Sequence, residues 1–368
     1  MTNQPSAEPH APSEPWAHGG VRLEAVRDCP LCGGGGRRLV FDRVRDCLDP
    51  SREQTFRYVQ CEACALVYQD PMVIAADLPE CYDGYHTHET ETLPASFTGE
   101  WGGATKWIRG GVLAHKYGYE HLAPASGALT LAARALDLLP AIRSRARCGL
   151  GGGAGGGLPR FSGEGKALDI GTGNGVFAAT LARLGWDVTG VEFDEVAARN
   201  AAECHGLRVL VSTLEDARFE DGSFDFVSMF HVIEHLPDPV ATLREVRRVL
   251  RAGGRLMLRT PNFDSLTRRA AGRYWRGVEA PRHLYLFNRR SLTRALGEAG
   301  LRVVAAATTR GGTRYYVEES LRFRAAEMGE TYSPRAAAAR AKFQNVLIRA
   351  ARPAGLLLGD ELHVEAVR

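Results

Sequence analysis

Apolar and polar positions change their period part-way along the chain. From Gly165 onward, apolar runs of strand length alternate with amphipathic stretches of helical period. Runs at 166–170, 186–192, 208–212, 224–230, 255–259 and 301–308 predict six strands, and 361–367 predicts a last one. Helices are expected over 176–184, 195–204 and 291–300, and from Asp238 to Gly253-Gly254. In the last of these, Val240, Leu243, Val246 and Leu250 make one apolar face. Asp238 as N-cap, Pro239 in the first turn and the glycine pair mark its expected ends. Strands alternating with helices predict an α/β fold, a parallel sheet with helices on both faces.

Before Gly165 the pattern is less regular. Residues 1–20 are rich in Pro, Ser, Ala and Glu and are expected to be a disordered tail. Residues 21–85 carry paired cysteines and short β-like runs such as Phe56–Gln60. Residues 86–160 read as a connector, with a helix over 129–139 closed by Pro140 and a glycine-rich linker at 149–157. Residues 161–368 form the α/β unit, interrupted near 316–358 by an Arg- and Ala-rich helical insertion that includes Leu356-Leu357-Leu358. That insertion suits packing over the core or in a dimer, with contact to a membrane surface as the alternative.

Composition adds little except by exclusion. The 368 residues give room for two domains, and the formal net charge of +3 is too small to argue for a nucleic-acid partner. No basic segment followed by an apolar stretch opens the chain, and no run of about 18 apolar residues occurs. A cytoplasmic location is the expectation.

The densest signal is Ala167-Leu168-Asp169-Ile170-Gly171-Thr172-Gly173-Asn174-Gly175. An apolar strand ends in an acid, and a glycine turn hands the chain to the next helix. Glycine adopts φ > 0 freely and lets a ligand approach where a Cβ would intrude. A dinucleotide site needs G-x-G-x-x-G with an acid about 20 residues later. Here the third glycine comes one residue early, and Asp169 precedes the turn. This D-x-G-x-G-x-G arrangement resembles the class I S-adenosylmethionine-dependent methyltransferases. The resemblance continues in Glu192 at the end of the second strand, in Leu214-Glu215-Asp216 after the third, and in Gly222–Val227 opening the fourth. It implies a Rossmann-like methyltransferase sheet that binds S-adenosylmethionine through Asp169, Gly171, Gly173, Gly175, Glu192, Leu214, Glu215, Phe230 and His231.

His231-Val232-Ile233-Glu234-His235 matches H-x-x-E-H, a zinc-peptidase pattern that requires a helix. Here the segment leaves a strand directly and Pro237 follows, so a helix is not expected. Val232–Pro239 instead resembles the methyltransferase segment h-v-x-E-H-x-x-D-P, which places Glu234 and His235 toward the acceptor.

Cys29-Pro30-Leu31-Cys32-Gly33 and Cys61-Glu62-Ala63-Cys64-Ala65 are two C-x-x-C knuckles with 28 residues between them. Four thiolates suit tetrahedral Zn²⁺ and leave no open position, so Cys29, Cys32, Cys61 and Cys64 read as a structural, zinc-ribbon-like site. Gly33 supplies the φ > 0 that such a turn needs. Together with Cys64–Pro71, Tyr82 and Tyr85, the module resembles bacterial small-molecule methyltransferases near the ubiquinone O-methyltransferases. Deoxysugar C-methyltransferases are a second resembling group.

Methyl transfer from a sulfonium needs alignment, and a hydroxyl acceptor also benefits from a base. His283, in Ala280-Pro281-Arg282-His283-Leu284, is the first candidate base, with His235 and Glu234 beside it. Tyr274, Trp275 and Tyr285-Leu286-Phe287 are expected to wall the acceptor, and Arg282 to lie at the surface or pair with an acceptor anion. The expected partner is a small-molecule or sugar acceptor, methylated on a hydroxyl. An RNA base is the runner-up, but no Asn/Asp-Pro-Pro-aromatic turn and no basic run with interleaved aromatics supports it. A non-catalytic protein that only binds S-adenosylmethionine is the remaining alternative.

Overall fold

The computed structural model describes residues 20–49, 51–82, 103–123, 126–137, 158–308 and 312–368. Residues 1–19 of the tail expected over 1–20, the glycine linker at 149–157 and Tyr85 lie outside the described residues. In chain order the strands are β1 (Leu23–Glu24), β2 (Arg37–Arg45), β3 (Thr55–Cys61), β4 (Val67–Gln69) and β5 (Met72–Val73). Helices α1 (Gly103–Tyr117) and α2 (Gly127–Asp137) follow. The α/β unit then runs β6 (Lys166–Ile170), α3 (Val176–Arg183), β7 (Asp187–Glu192), α4 (Glu195–His205), β8 (Arg208–Val211) and β9 (Phe224–Phe230). It continues α5 (Pro239–Val249), β10 (Leu250–Pro261), α6 (Leu266–Ala271), β11 (Tyr285–Leu286), α7 (Arg289–Glu298) and β12 (Arg302–Thr308). Helices α8 (Thr313–Met328) and α9 (Pro334–Ala351) precede β13 (Glu361–Val367).

The main sheet has seven strands in the order β12-β13-β10-β9-β6-β7-β8. From β6 the chain winds one way through β7 and β8, then crosses back to β9 on the other side. That reversal is a switch point, and it leaves a crevice at the carboxyl ends of β6 and β9 where such folds bind ligands. β6 is buried along nearly all its length, as a central parallel strand should be. Asp194 and Asp238 cap α4 and α5 by accepting from the amides of Ala197 (2.8 Å) and Ala241 (2.9 Å).

Two details depart from the sequence expectation. The sheet is not wholly parallel: β13 runs antiparallel to both β10 and β12. The helix from Asp238 ends at Val249, before the glycine pair. Leu250 is already extended and pairs with Phe224, so Gly253 and Gly254 sit inside β10 at a register shift. Gly253 takes φ 75° there.

The N-terminal segment forms a second sheet, β11-β4-β3-β2, and its outer member comes from residues 285–286 of the α/β unit. Tyr285 pairs with Tyr68 and Leu286 with Val67. One continuous apolar core joins the two sheets, with Phe56, Tyr58 and Tyr68 packed together with Val278, Leu284 and Phe287. Among the described residues no helix is long and apolar enough to cross a membrane.

Candidate functional site

A cavity of about 750 Å³ opens at the switch point. One wall is the loop from Asp169 through Asn174, which the sequence marks with its glycines. Gly171, Gly173 and Gly175 take φ of 67°, 53° and 79°, and a Cβ on Gly171 would stand 2.3 Å from Val232 Cγ2. The turn therefore folds as it does only with glycine in these places. At the end of β7, Glu192 accepts from the Gly173 amide (2.8 Å) and the Asp194 amide (3.1 Å). Each oxygen of a carboxylate has two acceptor positions, so Glu192 keeps capacity for two ligand hydroxyls. Burial pushes its pKa up, opposed by those amides.

Asp169 sits beneath the turn and lines the same cavity. Burial raises its pKa to about 7, against the hydrogen bond donated by Ser228 Oγ at 2.6 Å. Leu214 and Glu215 lie on the opposite rim, where Thr242 Oγ1 donates to Glu215 Oε1 at 2.6 Å. Phe230 packs against Phe177, ring centroids 4.5 Å apart, and the Arg259 guanidinium stands 4.1 Å from its ring centroid. Of the nine residues assigned from the sequence to cofactor binding, all but Gly175 line the cavity.

The segment after β9 is a 3₁₀ turn over Ile233–His235, so H-x-x-E-H does not lie on an α-helix. His231 adopts φ 55° and faces the cavity. Its Nδ1 is 3.3 Å from Glu234 Oε1 and its Nε2 3.4 Å from Glu361 Oε1. Burial opposes the imidazolium, but the two carboxylates outweigh it and raise the pKa to about 10.

The three residues nominated for catalysis come together. Glu234, His235 and His283 each place one polar atom within 4.8 Å of the others, and the two imidazole centroids are 4.6 Å apart. Their access differs. His235 lines the cavity, whereas His283 and Glu234 are buried and do not. His235 Nδ1 lies 3.1 Å from the Arg282 carbonyl, and His283 Nδ1 lies 2.9 Å from the Gly277 carbonyl. A carbonyl only accepts, so each Nδ1 carries the hydrogen and each Nε2 keeps its lone pair. Burial lowers both pKa values to about 4, so both rings are neutral at physiological pH.

The sequence did not assign Tyr82 to the site. Its hydroxyl is 2.8 Å from His235 Nδ1, and its ring packs edge-on against Phe193 at 5.3 Å. With Ala75, Leu78 and Pro79 it brings the N-terminal segment over the cavity. The expected aromatic wall is corrected in turn. Trp275 and Tyr285–Phe287 are buried in the core, Trp275 stacking on Tyr316 at 6.2 Å, and none of them lines the cavity. Tyr82, Phe177, Phe193 and Phe230 supply its aromatic surface instead.

Arg282 is also not at the surface. It is 3% exposed and binds Asp46 through Nη1 at 3.1 Å, the Cys81 carbonyl at 3.0 Å and Glu279 at 3.4 Å. A long cation in the core is tolerable only because carboxylates from two different segments neutralise it. Glu279 also contacts Arg276, and these arginines with His283 hold its pKa well below the ordinary value despite burial.

The four paired cysteines converge at the far end of the N-terminal sheet. Cys29 and Cys64 sulfurs are 3.5 Å apart, as are those of Cys32 and Cys61, and all four lie within 4.8 Å of one another. A tetrahedral zinc ion with bonds of about 2.3 Å needs sulfurs roughly 3.8 Å apart, so the set fits the ion. Both knuckles turn alike: Gly33 donates to the Cys29 carbonyl at 2.9 Å, and Ala65 to the Cys61 carbonyl at 3.0 Å. Gly33 has φ 69°, while Ala65 accepts φ 66° without being glycine.

Known proteins resemble this chain over its α/β unit. Residues 134–306 match the model of a methyltransferase-domain family. The chain carries a methyltransferase domain. A ubiquinone biosynthesis O-methyltransferase of Xanthomonas oryzae is 38% identical over 104 residues, 26% of this chain and 43% of that protein. An uncharacterised protein from a Streptomyces fradiae transposon is 38% identical over 110 residues, 28% of this chain and 32% of that one. The chain thus spans less than half the length of the curated relatives it matches. A solved S-adenosylmethionine-dependent methyltransferase from Archaeoglobus fulgidus is 19% identical, covering 56% of this chain and 88% of that one, with a TM-score of 0.39. The methyltransferase domain so matched includes the glycine turn, Glu192, the His231–His235 segment and His283.

Proposed function

We propose that the protein moves a methyl group from S-adenosylmethionine to a hydroxyl of a small-molecule or sugar acceptor. One observation carries the reading: a single cavity joins Glu192 and the glycine turn to a neutral His235. Asp169, Gly171, Gly173, Glu192, Leu214 and Glu215 are the residues to hold the donor, with Phe230 and His231 at its methionine end. When bound, S-adenosylmethionine supplies an activated methyl on a sulfonium, so the protein's contribution is alignment and proton removal. His235 takes the acceptor proton through Nε2, because it alone of the three nominated groups borders the cavity. His283 and Glu234 orient it from behind. O-methylation is the activity named for the Xanthomonas relative and is carried over here as part of this proposal.

The direct test is formation of S-adenosylhomocysteine from labelled donor across a panel of phenols, sugar hydroxyls and amines. Turnover confined to hydroxyl acceptors is the expected result. Calorimetry that detects binding of neither S-adenosylmethionine nor S-adenosylhomocysteine overturns it. Cys29, Cys32, Cys61 and Cys64 are proposed to hold one structural zinc ion per chain, and a metal content of zero in freshly purified protein rejects that part.

A further inference from the structure

The helical insertion between β12 and β13 presents a surface that the methyl-transfer reading leaves unused. One side of α9 is buried through Ala337, Ala341, Gln344 and Ile348. The other side is apolar and open. Phe343, Val346 and Leu347 are 63%, 61% and 40% exposed and share one face by their spacing of three and four. Ala336, Ala339 and Ala350 continue the same stripe, giving it a length of about 21 Å.

Charge decides what can cover this stripe. Arg335, Lys342 and Arg349 recur every seven residues along one edge, and Arg340 stands on the other; all four are exposed. No acid occurs between Glu330 and Asp360. The acids of α8 cannot neutralise the row, because each is already held by an arginine. Glu318 pairs with Arg314 (2.7 Å), Glu319 with Arg322 (3.5 Å) and Glu327 with Arg273 (2.7 Å). Glu330, in the turn after α8, pairs with Arg324 at 3.2 Å. A second copy of α9 laid on the stripe would set cation against cation, in either direction. An anionic surface meets both features at once.

We propose that α9 docks the protein on membranes that expose anionic lipid headgroups. Phe343, Val346 and Leu347 enter the boundary between headgroups and acyl chains, and Arg335, Arg340, Lys342 and Arg349 hold the lipid phosphates. This follows the physics of helices that lie in the membrane interface, where an apolar stripe and a basic margin act together. It is independent of the methyl-transfer reading, since none of these residues borders the cofactor cavity.

Flotation of the full chain with vesicles tests it. Vesicles of phosphatidylcholine with about one-third phosphatidylglycerol should bind the protein at least tenfold more strongly than phosphatidylcholine alone. Raising the salt to about 0.5 M should remove most of that difference. Phe343→Glu should lower binding to anionic vesicles about tenfold or more, and Lys342→Glu about fivefold or more. An unchanged circular dichroism spectrum and melting temperature confirm that each variant folds. Equal binding to both vesicles, binding to neither, or full binding by Phe343→Glu overturns the proposal. So does a stable dimer in the wild-type chain that Phe343→Glu dissociates, because a second copy would then own the stripe.

Discussion

The hydroxyl of Tyr82 lies 2.8 Å from Nδ1 of His235. One residue belongs to the cysteine-bearing N-terminal segment and the other to the loop after β9, so the contact joins two distant parts of the chain at the cavity. Because the Arg282 carbonyl also receives the Nδ1 hydrogen, Tyr82 acts as a second acceptor there and keeps its own hydrogen to donate. Removing the imidazole should lower kcat by roughly 10²–10⁴, the span of general-base catalysis. Tyr82→Phe leaves the imidazole in place and should cost about tenfold, the equivalent of one hydrogen bond. Calorimetric affinity for S-adenosylmethionine is expected to hold in both variants, and steady-state kinetics with the true acceptor separates them. If His235→Ala turns over normally, the proton goes elsewhere.

The pH profile carries a second expectation. Burial, with the neighbouring His283 adding to it, lowers His235 to about 4. The base is active when neutral, so rate is lost as pH falls through about 4 rather than through the ordinary 6.5. A plateau in kcat from pH 5.5 to 7.5 should therefore appear. An acid limb near 6.5 is the contrary result.

Asp169 predicts proton release on donor binding. Its pKa stands at about 7, raised by burial, so near neutral pH a large fraction is protonated. A cationic occupant of the cavity that Asp169 lines favours the carboxylate and lowers that pKa. Binding then expels protons at pH 6–7 and strengthens as pH rises through 7. Calorimetry in buffers of different ionisation enthalpy measures the release, and Asp169→Asn should abolish it.

Arg282 and Asp46 are 3% and 0% exposed at their side chains, and they join the residue after β2 to the loop before β11. Removing one partner leaves the other charge buried. Asp46→Asn or Arg282→Met should each lose about 3–5 kcal/mol of stability. The double replacement should recover part of that loss, and chemical denaturation of the four proteins reads the coupling.

Much of the α/β unit was legible because its signals are local. Asp194 and Asp238 cap helices where an acid precedes an amphipathic run, and Phe224–Phe230 is a strand in the sequence and in the fold. Strand direction is not local, which is why the antiparallel course of β13 could not be read from Glu361–Val367. The glycine pair at 253–254 misled for a related reason. It looks like a helix stop, but pairing of Leu250 with Phe224 ends α5 earlier. In the site, the glycine turn and Glu192 were readable because their spacing is itself the chemistry. Tyr82 was readable only as one aromatic in a resemblance, since its partner His235 is 153 positions away. Arg282 looked like a surface residue because the acid that buries it, Asp46, is 236 positions away.

The pairing of Tyr285–Leu286 with β4 has an evolutionary consequence. A cysteine-bearing segment that precedes an α/β unit looks like a cassette, free to be gained, lost or exchanged. Here its sheet is finished by a strand from within the α/β unit, two residues after His283. Recombination that swapped the segment through Tyr82 would orphan that strand, strip Tyr82 from the cavity and unseat Arg282 together. The two stretches can therefore diverge only in concert, and descent should have kept them in one reading frame.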